Sequence, residues 1–315
     1  MSAAEVELAP EKAKRRWLLW LQIALLVAGL AFGAIAGRNA WGDVEDRLRT
    51  LDPWLVAAAA LVLAAYYLLF VVGWMIILRA LGMRISYRHA IGAEMLSMLA
   101  KYVPGGVWTP AARVVACERV GLAPGPVLAS IGYEAGLSAI SGIIVLIISL
   151  PFAPSVDVPV PIWGMIGFAA VLLVLLHPAI YGRATDRFLG RLSDGPIPRL
   201  PLGTATAVLG FYCLTWPIGG TVLWLLGTAV GGDIPVEAIP FLGGASALGA
   251  IVAVLVVVAP SGLGVREGAV FALLLAYLDR PSALVVVALN RLLITAVEAA
   301  LLAIVTIYGR LVPSP

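Results

Sequence analysis

The chain has 315 residues, of which 62% are hydrophobic and 12% charged, with a formal net charge of +3. An ordinary soluble domain is about 45–50% apolar and about 25% charged, so a single water-soluble core is excluded. The basic residues are dispersed between apolar runs, which argues against a nucleic-acid surface and for loop bias at a membrane.

Taken in order, residues 1–16 form a short tail in which Lys12, Lys14, Arg15 and Arg16 precede an uncharged run over 17–37. Ala34-Ile35-Ala36 resembles a small-residue cleavage site. The run nevertheless exceeds a usual signal-peptide core and is expected to persist as a first span. Further uncharged runs cover 53–78, 135–156, 158–182, 200–232 and 238–265. About 20 helical residues cross the hydrocarbon core of a bilayer. Full crossings are therefore predicted at 17–37, 53–78, 126–150, 161–181, 203–230 and 282–308. The remaining segments, 89–118 and 238–278, are interrupted by Pro and Gly and are predicted to be re-entrant hairpins. Residues 17–310 are expected to form one transmembrane domain, with 311–315 as a tail.

This arrangement places both termini in the cytoplasm, at the inner cell membrane. Of the basic residues, fifteen then fall inside and four outside, while Arg266 and Arg291 lie at membrane depth. That split satisfies the positive-inside rule. The halves 53–150 and 203–308 contain the same parts in opposite orientation, a plan recurrent among transporters. The expected fold is an all-α polytopic membrane protein of about six full helices and two broken hairpins in an inverted repeat. A complete crossing over 238–259 is the alternative for the second hairpin.

Backbone groups freed by a break cannot face lipid, where each costs several kcal/mol. Pro104-Gly105-Gly106 and Pro260-Ser261-Gly262 therefore imply an enclosed site, with helices restarting near Val107 and Val265. The restarting N–H groups around Gly105, Gly106, Gly262 and Gly264 suit an anion, with phosphate the obvious choice. The plainer alternative is that these glycines let helices pack closely. Trp108 adjoins the first break and is a candidate cavity residue. Trp17, Trp41, Trp54 and Trp163 lie near span ends and read as interfacial anchors.

Ionisable groups inside spans usually face a partner or a cavity. Glu94 and Lys101 are seven apart and share a face, while Arg291, Thr295 and Glu298 form one stripe on the last span. Arg266 is the leading phosphate contact, because a guanidinium fork matches phosphate oxygens. The competing reading locks Arg266 to Glu134, Glu267 or Glu298. Glu134 is either a proton-coupling carboxylate or a structural partner for an arginine. Arg113, on the rear of the first hairpin, is expected to reach cytoplasmic headgroups. Gly132, Gly136, Ser138 and Gly142 stripe the third crossing and indicate close packing. Cys117 and Cys213 have neither disulfide nor metal spacing, and His89 and His177 stand alone, so no metal site or cofactor is expected.

These residues give the chain its resemblance to the lysylphosphatidylglycerol synthase transmembrane-region family, flippase-like integral membrane proteins. The match rests on 101-KYVPGGVW-108, on Arg113 with 119-RVGL-122, and on 260-PSGLGVREG-268, and it extends over 15–310. Ser261 replaces a glycine common in the second motif. Of a Glu-Arg-x-x-Asp pattern only Glu134 is kept, with Ala135 and Ser138 replacing the Arg and Asp. The resemblance implies lipid translocation. The larger relatives add a soluble aminoacyl-transfer domain; none of appreciable size is expected here, so the lysyl-transfer reaction is not implied.

The expected function is movement of an anionic phospholipid or polyprenyl-phosphate-type lipid, without catalytic residues. The sequence has no Gly-x-x-x-x-Gly-Lys-Ser/Thr loop, so transport would be passive or ion-coupled. The alternatives are a membrane-embedded lipid-carrier transferase, with Glu134 or Glu267 as base, and a non-transporting partner of another membrane enzyme. Membrane lipids are the expected partners, and a homo-oligomer is left open.

Overall fold

The structure, a computed structural model, describes residues 41–103, 107–154, 161–193, 195–255 and 264–311. The expected first span over 17–37 and Arg310's side chain lie outside that description. Within it are eleven α-helices and no strand. They are α1 Trp41–Arg49, α2 Pro53–Ala80, α3 Tyr87–Ala100, α4 Trp108–Glu118, α5 Pro124–Ser149 and α6 Ile162–Leu175. After these come α7 Pro178–Leu189, α8 Leu202–Ala229, α9 Ile239–Leu255, α10 Val265–Leu274 and α11 Arg280–Leu311. Five stretches are long and apolar enough to cross a membrane: Pro53–Ala80, Pro124–Phe152, Leu202–Ala229, Val236–Leu255 and Arg280–Tyr308. The chain is an all-α, multi-pass membrane protein.

One expected crossing is bent: α6 and α7 together are long and apolar enough for a sixth span, but they are not one straight helix. The run predicted as a single helix over 161–181 bends by 67° between α6 and α7. The cause is local: Pro178 lacks an N–H and disfavours helical backbone in the residue before it. His177 accordingly turns to φ −56°, ψ 132°, and its side chain accepts a hydrogen bond from the Ala179 N–H at 3.3 Å. Helix α6 alone, 14 residues long, spans about 21 Å, short of the hydrocarbon core. Helix α1 was not anticipated.

The remaining elements meet at two ends of a bundle. At one end the Asp52 N–H donates to the Ala229 carbonyl at 3.0 Å, joining the start of α2 to the end of α8. At that same end Ile234 and Leu278 both pack on Gly227, and Arg47 pairs with Asp279 at 3.0 Å. The connections into α9 and out of α10 are therefore neighbours, so this segment returns to the end from which it starts. At the other end the Trp74 indole donates to Ser130 at 2.9 Å, and Gly125 backs onto the Leu189 and Leu192 carbonyls. The first hairpin, α3–α4, enters and leaves there. Each hairpin doubles back: the Arg113 Nε donates to Ser97 at 3.4 Å, and Gly249 packs on Val270 and the Arg266 backbone.

The halves also match in detail. Helices α2 and α8 each have 28 residues, and each is followed by a glycine at φ 81°, Gly82 and Gly231. Positive φ at the residue after a helix is the usual role of glycine there. Under exchange of the halves, the α5–α9 contact corresponds to α3–α11, and α4–α5 to α10–α11; all four pairs are packed together. The core between them is built from large buried side chains such as Trp74, Tyr133, Tyr212 and Phe241. Trp54 and Trp163, expected as interfacial anchors, are strongly exposed at the starts of α2 and α6.

Close packing runs through α5 as its small-residue stripe predicts. Gly132 lies under Tyr181, Gly136 under Leu176, and Gly142 against Ala247 and Trp216. The Ser138 carbonyl accepts a hydrogen bond from the Trp216 indole at 3.0 Å.

Candidate functional site

Two charge clusters form at the hairpins. The first joins three helices. Arg113 on α4 pairs with Glu94 on α3 and with Glu134 on α5. All three are buried, with exposures of 4%, 1% and 4%. The Trp74 ring covers the guanidinium at 4.7 Å. Arg113 thus does not reach headgroups as expected, because two carboxylates hold it inside. Glu94 and Lys101, expected on one face, take different partners.

The second cluster lies on α11 and uses the predicted stripe. Lys101, at the end of α3, pairs with Glu298 at 2.6 Å, and the same carboxylate oxygen accepts from the Tyr67 hydroxyl at 2.7 Å. One turn away, the hydroxyls of Tyr102 and Thr295 are 2.7 Å apart. Another turn on, Arg291 pairs with Glu267 at 3.3 Å. The Tyr102 ring lies between the two cations, with Lys101 Nζ at 5.3 Å and Arg291 at 5.2 Å from its centroid. Helix α11 therefore binds the flank of each break, Lys101 and Tyr102 from one hairpin and Glu267 from the other.

The second break ends in Gly264, whose φ of 84° suits glycine alone. Its N–H donates to Glu267 Oε2 at 2.8 Å. Glu267 thus caps α10 with one oxygen and holds Arg291 with the other. Pro104, Gly105, Gly106, Pro260, Ser261 and Gly262 lie outside the described residues. Trp108 opens α4 with its ring half exposed.

Arg266 differs from its neighbours. Its three expected lock partners all pair elsewhere: Glu134 with Arg113, Glu298 with Lys101, and Glu267 with Arg291. Among the described residues no carboxylate pairs with Arg266, which is half-buried in the second turn-forming position of α10. It lines a cavity of about 10 Å³ together with Asn290, Arg291, Val270 and Ile294. That is room for one water. Among the described residues around this seam, Lys101 and Arg291 pair with Glu298 and Glu267, and Arg266 adds one further positive charge. A larger depression of about 410 Å³, lined by Glu118, Pro124 and Arg191 among others, opens at the far end near Gly125.

Sequence reasoning missed Tyr67, Tyr102, Trp74 and Ser97. Tyr102 sits inside the first motif, and Tyr66-Tyr67 is a polar pair in an otherwise apolar span. Both were available signals. Among the described residues no group of three or more His, Cys, Asp or Glu side chains is placed to hold a metal.

No curated protein matches the chain. The model of the lysylphosphatidylglycerol synthase transmembrane region matches residues 19–301, which includes both hairpins and the α11 stripe that joins them. Nine-tenths of the sequence is covered in one continuous match, and so the chain belongs to the lysylphosphatidylglycerol synthase transmembrane-region family.

Proposed function

We propose that the protein is a non-enzymatic lipid transporter of the cytoplasmic membrane. Its cargo is an anionic phospholipid or a polyprenyl-phosphate-type lipid, and both termini face the cytoplasm. Family membership supports a role in handling membrane lipids. The observation that carries the reading is Arg266, a half-buried guanidinium with no described carboxylate paired to it, beside two ion pairs that balance each other and leave its charge as the excess. A cation left open at membrane depth is costly unless an anion or water serves it. A phosphate accepts the guanidinium fork and the N–H groups of a restarting helix together.

The seam is closed in this conformation, since about 10 Å³ admits no headgroup. Lipid entry requires the two hairpin flanks to part along α11. The test is movement of labelled phosphatidylglycerol in proteoliposomes. Arg266→Ala should abolish transfer without lowering the melting temperature. Transfer at the parent rate in that variant sinks the reading.

A further inference from the structure

We propose that Glu94 and Glu134 hold one proton between them, making the Glu94–Arg113–Glu134 cluster a proton-binding site anchored by a single guanidinium. The site is separate from the seam and does not depend on the lipid reading.

The guanidinium is fully engaged. Nη2 meets Glu94, Nη1 meets Glu134, and Nε donates to Ser97 Oγ at 3.4 Å. Both carboxylates use Oε2 for this contact. Their other oxygens, Glu94 Oε1 and Glu134 Oε1, are buried without a hydrogen-bond partner. Two ionised carboxylates on one arginine would leave a net negative charge out of water. Removing an ion from water costs several kcal/mol even after relaxation. Like carboxylates sharing a site ionise in two separated steps, so one keeps its proton.

Among the described residues no other cation is paired with the cluster. The titratable groups that face it are Lys101 and Glu298, which neutralise each other, and Cys117, Tyr66 and Tyr212, which are uncharged at neutral pH. Tyr212 comes from α8, and its buried hydroxyl faces Glu134. It offers the carboxylates a dipole and no charge. The three ionisable members belong to three helices, and two of those helices form the first hairpin. Loss of the proton would therefore place an uncompensated charge between that hairpin and α5.

The experiment is infrared spectroscopy of the purified protein in lipid nanodiscs at neutral pH. The parent should show the carbonyl stretch of a neutral carboxylic acid. Either Glu94→Gln or Glu134→Gln alone should remove it, because the remaining carboxylate then has Arg113 to itself and ionises. Each single variant should melt within a few degrees of the parent, and the double variant should melt lower, with Arg113 buried and unpaired. Should a Gln variant fail to fold, Glu94→Asp and Glu134→Asp should keep the band at a shifted frequency. A parent without the band, or a band surviving in both single Gln variants, overturns the proposal. So does a melting temperature that rises with sodium in a protein lacking the band, which assigns the missing charge to a metal cation.

Discussion

Lys101 and Glu298 are 197 residues apart in sequence, yet the Lys101 ammonium lies 2.6 Å from the Glu298 carboxylate. The carboxylate is fully buried and the lysine side chain is 16% exposed. Removing one partner of such a pair strands the other charge, at a cost of about 3–5 kcal/mol. Glu298→Ala should therefore be severely destabilised, as measured by unfolding in detergent. The double variant Lys101→Met/Glu298→Leu should recover much of that loss.

Helices α8 and α9 touch through glycine backbone. A β-carbon at Gly220 would stand 2.2 Å from the Ile239 carbonyl oxygen, and one at Gly243 would stand 2.5 Å from the Trp216 carbonyl oxygen. Neither neighbour can move without its helix. Gly220→Ala and Gly243→Ala should each lower stability by about 1–3 kcal/mol, the range for overpacking. Gly210, with nothing near its added carbon, should instead gain about 0.5–1 kcal/mol on change to Ala. Thermal melts of the three variants check both signs.

Arg266→Lys keeps the charge and loses the fork. In the proposed site it should bind anionic lipid about tenfold more weakly, the equivalent of one charge-assisted hydrogen bond. Binding to phosphatidylglycerol-containing nanodiscs is the measurement. The order parent, Lys, Ala in affinity is expected.

Asp279 caps α11 and pairs with Arg47 on α1. Hydrogen bonds from Ser282, aided by Arg47, hold its carboxyl below the ordinary carboxylate value. A depressed folded value means the contact is complete above the unfolded value and is lost as pH falls through the folded one. Amide protection factors over 41–52, corrected for the intrinsic pH dependence of exchange, should therefore fall on acidification below about pH 4. In Asp279→Asn that protection should be low throughout and largely independent of this titration.

The hairpins were legible because proline and glycine interrupt apolar runs, and the interruption has only a few physical solutions in lipid. The stripe Arg291, Thr295 and Glu298 was legible from helical spacing alone. Their partners were not: Lys101, Tyr102 and Glu267 come from the flanks of two breaks, and no local pattern encodes that meeting. Arg113 illustrates the same limit. Its position on the hairpin suggested an outward role, whereas Glu94 and Glu134, from two other helices, decide its environment. The bend at His177-Pro178 had a local signal that the length of the apolar run outweighed.

The equivalent seams of the two halves are built from different materials. Where the second hairpin meets α5, Gly244 lies on Leu146 and Gly142 on Ala247, steric contacts indifferent to salt or acid. Where the first hairpin meets α11, the join is an ammonium, a carboxylate and two hydroxyls. One joint is welded and the other latched, because only the second can be exchanged group for group with a ligand's charges. The join of Lys101 and Tyr102 to α11 is accordingly the one whose strength should vary with the ions and anions around it.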